Sequence, residues 1–202
     1  MSEITHDKLI EVGAKWLKSQ HSSGDNKSLS SVFRHSGCGV ILKEFVSFEV
    51  SIPDVIGFNN HCSVVIECKV SHEDYIADLK KDHRAVDNLK QCGNYRYYLT
   101  LPEIIKPEEI KNGWGLLYYD GKVHIVKAPD YHNEPEIKVA EYSILYSVVR
   151  RASDKNQLEE ILKPYRFCDS CHRVVHEWKF IKYKGNLCLD CLNGIGLTVG
   201  KS

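Results

Sequence analysis

Two apolar, β-branched runs near the middle of the chain each carry a carboxylate: Ile52-Pro53-Asp54-Val55-Ile56-Gly57-Phe58 and Val64-Val65-Ile66-Glu67-Cys68-Lys69-Val70. An unpartnered carboxylate among apolar side chains costs on the order of several kcal/mol, so Asp54 and Glu67 require a cation or strong donors. In the second run Val64, Ile66, Cys68 and Val70 alternate with Val65, Glu67 and Lys69. This periodicity predicts a strand with Glu67 and Lys69 on one face. Asn59-Asn60-His61 is a turn signal, and the two runs are expected to form a hairpin that brings Asp54 beside Glu67.

Two carboxylates so placed repel each other and suit a hard divalent cation, Mg2+ or Mn2+, that takes oxygen ligands and keeps waters for chemistry. The backbone carbonyl of Cys68 is a candidate third ligand. Lys69 would set an ammonium beside the metal, where it orients an attacking water and offsets charge developing on a phosphate oxygen. This is phosphodiester hydrolysis in outline. The bland alternative is an edge strand whose Glu67 and Lys69 form a solvated face.

Pro53-Asp54 followed by Glu67-Cys68-Lys69 resembles the two core elements of the PD-(D/E)XK superfamily of metal-dependent nucleases. The flanking blocks, Glu67 to Lys80, Gly93-Asn94-Tyr95-Arg96-Tyr97-Tyr98 and Gly113-Trp114-Gly115-Leu116-Leu117, are similar to small bacterial and phage members related to the MmcB group of DNA-repair proteins. The similarity spans residues 40–127. It implies a restriction-endonuclease-like α/β fold, a mixed sheet flanked by helices, with Asp54 and Glu67 as metal ligands and Lys69 as catalytic base or charge stabiliser. It also implies a DNA substrate. Some members place a glutamine on the helix after the active-site strand, and Gln91 with Tyr95 has that spacing, although Gly93 signals a helix end near Cys92. Many carry an acidic residue from the first helix or an early strand. Glu11 lies opposite the Leu9, Gly13, Trp16 and Leu17 stripe, so Glu44 is the preferred candidate. The competing reading is a nuclease-fold module with a weak or inactive site that binds nucleic acid or a protein partner.

Cys168-x-x-Cys171 and Cys188-x-x-Cys191 are separated by sixteen residues, a spacing that reads as a four-cysteine Zn2+ site in a small ribbon. About thirty residues cannot bury enough apolar area to fold alone, which points to a structural metal. His172 and His176 are alternative ligands, and a rubredoxin-like iron is an alternative metal. Cys38, Cys62, Cys68 and Cys92 lack knuckle spacing and read as small core residues in a reducing compartment.

With 202 residues, 43% hydrophobic and 27% charged, the chain is expected to form one core plus an appendage, divided as residues 1–163 and 164–202. A formal net charge of zero supplies no general electrostatic case for nucleic acid. From Pro164 onward, however, six basic residues face three acidic ones. There Trp178, Phe180 and Tyr183 interleave with Lys179, Lys182 and Lys184, a texture that suits phosphates and bases or, equally, hairpin packing on the main domain. The ribbon is also a candidate contact for a protein partner. Neither a signal-peptide pattern nor a long apolar run occurs, so a cytoplasmic chain without membrane contact is expected.

The layout predicts a helix from Thr5 to about Gln20, a serine-rich loop, and strands at about Val40 to Val50, Asp54 to Phe58 and Val64 to Val70. A charged helix to about Cys92 should follow, then further strands at Arg96 to Leu101, Leu116 to Tyr119 and Val123 to Val126. A helix from about Ala140 to Leu162 precedes the knuckles. In that charged helix Lys80, Lys81, His83 and Arg84 are candidate phosphate guides, while Asp78, Asp82 and Asp87 are expected to pair with them locally.

Overall fold

The alternating run forms the centre of a six-stranded mixed sheet. The computed structural model describes residues 4–19, 37–47, 50–83, 91–155, 157, 166–168, 170–171, 174–175, 180–182, 186–188 and 191. Strands β1 (Val40–Lys43), β2 (Val55–Phe58), β3 (Ser63–Lys69), β4 (Tyr95–Thr100), β5 (Gly115–Tyr119) and β6 (Val123–Lys127) lie in that spatial order. β1, β2 and β3 are antiparallel neighbours, β3, β4 and β5 run parallel, and β6 returns antiparallel to β5. The β2–β3 hairpin forms where the turn residues place it. Asn59 Oδ1 accepts the backbone N–H groups of His61 and Cys62 at 2.8 and 2.9 Å, the local bonding that makes asparagine a turn former.

Helix α1 (His6–Ser19) starts at Thr5, whose hydroxyl accepts the Lys8 N–H at 3.3 Å. It buries Leu9, Ile10, Gly13, Trp16 and Leu17 against Val55, Val64, Ile66, Cys68, Tyr97 and Leu99 on one sheet face. Glu11 is exposed and ion-paired with Lys43. On the other face, helix α2 (His72–His83) contributes Tyr75 to a cluster with Tyr98, Ile105, Ile110 and Leu116. Helix α3 (Pro135–Asp154) sets Ala140 and Ile144 over Ile56 and Val65. The central strands are thus covered on both faces, and the buried charges of Lys69 and Arg96 stand out there.

Three element boundaries differ from the sequence expectation. β1 stops at Lys43, well short of Val50, because Glu44 adopts φ 44° and breaks the extended ladder. α3 begins at Pro135, since a proline is well tolerated in the first turn where its missing N–H has no helical partner. It ends at Asp154, and residues 158–165 lie outside the described residues. α2 is described to His83, residues 84–90 lie outside, and Gln91 and Cys92 are not helical, ahead of Gly93 at φ 94°.

The chain divides into two compact units, Met1–Ser147 and Val148–Ser202. The second contains two short antiparallel hairpins, β7 (Arg166–Phe167) with β8 (Val174–Val175) and β9 (Phe180–Lys182) with β10 (Asn186–Cys188). The expected loop at 20–31, the side chains of Lys81, His83 and Arg84, and the side chains of the aromatic and lysine array around Trp178 fall outside the described residues, as do His172 and His176. Among the described residues no helix is long and apolar enough to cross a membrane.

Candidate active site

Strand register assembles the acidic residues. Lys43 pairs with Val55, and Val55 pairs with Ile66. One step further along the same registers places Glu44, Asp54 and Glu67 side by side at one end of β1, β2 and β3. The backbone confirms the first of these neighbours, because the Glu44 N–H donates to the Asp54 carbonyl at 3.0 Å. Glu44 itself is exposed, and its positive φ is strain of the kind that recurs at functional sites.

Asp54 is held by two groups. The Cys68 backbone N–H donates to Asp54 Oδ2 at 2.6 Å, and His6 Nε2 lies 3.2 Å from the same oxygen. In a β-strand the N–H and C=O of one residue point toward the same neighbour, so the Cys68 carbonyl is directed to the Asp54 side, past the last β2 pair. The Cys68 side chain goes the other way, into the α1 core, where burial pushes its thiol pKa up. Its main chain, and not its sulfur, is what it offers the site.

Glu67 and Lys69 share the α2 face, as the alternation requires. Lys69 is only 5% exposed, and its Nζ stands 3.6 Å from Glu67 Oε2 and 3.3 Å from Asp78 Oδ1. Burial acts to lower the Lys69 pKa, but Glu67, Asp78 and Asp54 together more than offset it and hold the ammonium above its usual value. For Glu67 the balance runs the opposite way. Burial first, and the Asp54 charge second, push its carboxyl up to about 8, with Lys69 opposing. A metal-free Glu67 therefore favours its proton near neutrality, and the charge of a cation between Asp54 and Glu67 would oppose that shift.

Three participants carry little sequence signal. Asp78 was expected to pair with neighbouring helix lysines, yet it binds Lys69 across the sheet-helix gap. Its place three residues after buried Tyr75 and one before Leu79 puts it on the inner face of α2, which is the signal that finds it. His6 reaches Asp54 from the first turn of α1. Thr100 pairs in register with Lys69, and its hydroxyl is buried without a hydrogen-bond partner among the described residues. That orphan oxygen lies on the same sheet face as Glu67 and Lys69. Gln91 accepts a hydrogen bond from Arg96 Nη1 at 2.8 Å. It is exposed and off any helix, so Gln91 and Tyr95 do not share the helical face that the spacing alone would imply, in line with the Gly93 signal.

In the second unit, Cys168, Cys171 and Cys191 bring their sulfurs within 4.8 Å of one another. No trio of carboxylates or histidines among the described residues closes as tightly. Cys188 ends β10, and its side chain is outside the described residues.

The fold and site define an α/β protein with a cluster of acidic residues and a buried lysine at one end of a mixed six-stranded sheet. No family model matches the chain, and no curated protein does. Among solved structures it is similar to a protein of unknown function from Silicibacter pomeroyi, at 25% identity, covering 59% of this chain and 81% of that one with a TM-score of 0.42.

Proposed function

We propose that this chain is a magnesium- or manganese-dependent nuclease with a restriction-endonuclease-like core of the PD-(D/E)XK type, hydrolysing phosphodiester bonds in DNA. The observation that carries the reading is the register that sets Asp54 opposite Glu67, with the buried Lys69 ammonium 3.6 Å from Glu67. Asp54, Glu67 and the Cys68 carbonyl form an oxygen donor set fit for a hard divalent cation. Such a cation, when bound, supplies Lewis acidity and an activated water.

The chain's own groups do the rest. Lys69, held protonated by its carboxylate neighbours, acts as a donor: it orients the attacking water and meets the negative charge that grows on a non-bridging phosphate oxygen. The new bond joins the water oxygen to phosphorus as the ester P–O bond breaks; the water's proton passes to solvent, and the departing ester oxygen takes a proton from solvent to leave as the hydroxyl. Asp78, 3.3 Å from the ammonium, shares Lys69 with Glu67. Glu44, next to Asp54, is placed to bind a ligand water. DNA as the substrate rests on the sequence resemblance.

A second reading has one observation in its favour. Asp54 already lies against His6 and Glu67 against Lys69, so each carboxylate has a side-chain partner without metal. A nuclease-fold module that binds nucleic acid or protein without cutting would look the same. Incubating the purified chain with double-stranded, single-stranded and branched DNA, with magnesium or manganese against chelator, separates the two. Metal-dependent cleavage lost in Lys69→Ala supports the nuclease, while a folded protein that neither cleaves nor binds either metal supports the module.

A further inference from the structure

The second unit holds chemistry that the proposed hydrolysis leaves unused. The three cysteines whose side chains are described come from two hairpins: Cys168 and Cys171 lie in the connection from β7 to β8, and Cys191 follows β10. Their sulfurs all lie within 4.8 Å of each other, with Cys168 buried and the other two half-buried. Cysteines that serve only as small core residues have no reason to converge their sulfurs from separate hairpins.

We propose that Cys168, Cys171, Cys188 and Cys191 hold one zinc ion as a closed four-thiolate site that folds the segment carrying β7 to β10. Thiolates at about 2.3 Å from a tetrahedral zinc stand about 3.8 Å apart, which the observed convergence accommodates. Cys188 completes the set by position. It is the last residue of β10 and three residues before Cys191, matching the Cys168 to Cys171 spacing on the other hairpin. Four thiolates around a dication leave a net negative charge, and the surrounding sequence offsets it with an excess of Arg and Lys from Pro164 onward. A full coordination sphere leaves no position for water or substrate, so the ion is structural. Strands of two and three residues bury too little to persist alone, and metal binding supplies the missing folding free energy.

The test uses the full chain, purified without added metal. Elemental analysis is expected to find one zinc per chain, and replacement by cobalt should give the sulfur-to-cobalt charge-transfer absorption of a tetrahedral thiolate site. Removing zinc with a strong chelator should expose the segment from β7 to Cys191 to protease while the six-stranded sheet and its helices stay protected. Cys171→Ser should lose most of the zinc, and Cys171→His, which keeps a ligand, should retain more of it. Zinc well below one per chain, iron in its place, or Cys171→Ser protein that binds zinc as tightly as the parent would overturn the proposal. These readouts do not depend on cleavage, so the nuclease reading stands or falls separately.

Discussion

Asp78 and Lys69 meet at 3.3 Å across the gap between α2 and β3, and the lysine thereby bridges a helix carboxylate and the strand carboxylate of Glu67. Replacing Asp78 with asparagine should let Lys69 swing wholly onto Glu67, where it competes with a cation. The expected outcome is weaker magnesium affinity and cleavage reduced roughly tenfold or more, with partial rescue in Asp78→Glu. Magnesium titration followed by a protected fluorescence or calorimetric signal checks it. An Asp78→Asn protein with parent-like magnesium affinity would refute the role given to Asp78.

Asp54→Asn and Glu67→Gln should each reduce metal-dependent cleavage roughly a hundredfold or more while the chain stays folded. Glu67→Gln has a second signature. In the metal-free protein Glu67 holds its proton up to about pH 8, whereas in the unfolded chain it releases it near 4.5. Between those values the folded state binds the extra proton, so stability falls as pH rises through that window. Denaturant unfolding of the metal-free parent across the window should show this slope, and Glu67→Gln should flatten it. A slope unchanged by the substitution would mean that other groups cause it.

Lys69→Ala should abolish cleavage yet keep most metal affinity, because the proposed mechanism has the lysine act on water and phosphate and not as a ligand. Lys69→Arg should also be poor, since a planar guanidinium does not reproduce a compact ammonium in this buried niche. Comparing manganese binding and cleavage in the same preparations decides between a donor and a mere organiser of the site, which would lose both together.

Thr100→Val removes a buried hydroxyl that has no partner among the described residues. Stability is expected to rise by about 1 kcal/mol, the gain from deleting an unsatisfied polar group of nearly the same shape. A loss of stability would instead indicate that the hydroxyl holds a bridging water beside Lys69.

Gly57→Ala tests how tightly α1 is seated on the strand that carries Asp54. A Cβ there would stand 2.8 Å from Cys38 Sγ and 3.0 Å from Leu17 Cδ1. Overpacking of this kind costs about 1–3 kcal/mol. The shift in the thermal midpoint measures it, and an unchanged midpoint would show that the layer yields freely.

Much of the sheet was legible because its signals are local. The period-two alternation of residues 64–70 and the Asn59 turn suffice to build the β2–β3 hairpin and to put Glu67 and Lys69 on one face. Glu44 was legible only as an acidic residue near the right strand. Its placement depends on a positive φ that shortens β1, and nothing in Val40 to Val46 announces that. The pairing of Lys69 with Thr100 and with Asp78 depends on the parallel β3–β4 register and on how α2 crosses the sheet, both long-range outcomes. Gln91 matched a spacing, but Gly93 had already marked the helix end, and the local backbone preference prevailed.

Asp54, Glu67, Lys69 and Asp78 all fall within one hairpin and the helix that follows it. The chain needs to close only short loops to bring them together, and loop-closure entropy grows with separation. The charged centre is therefore expected to assemble early in folding, as a local unit, with α1 and its His6 arriving later as a cap.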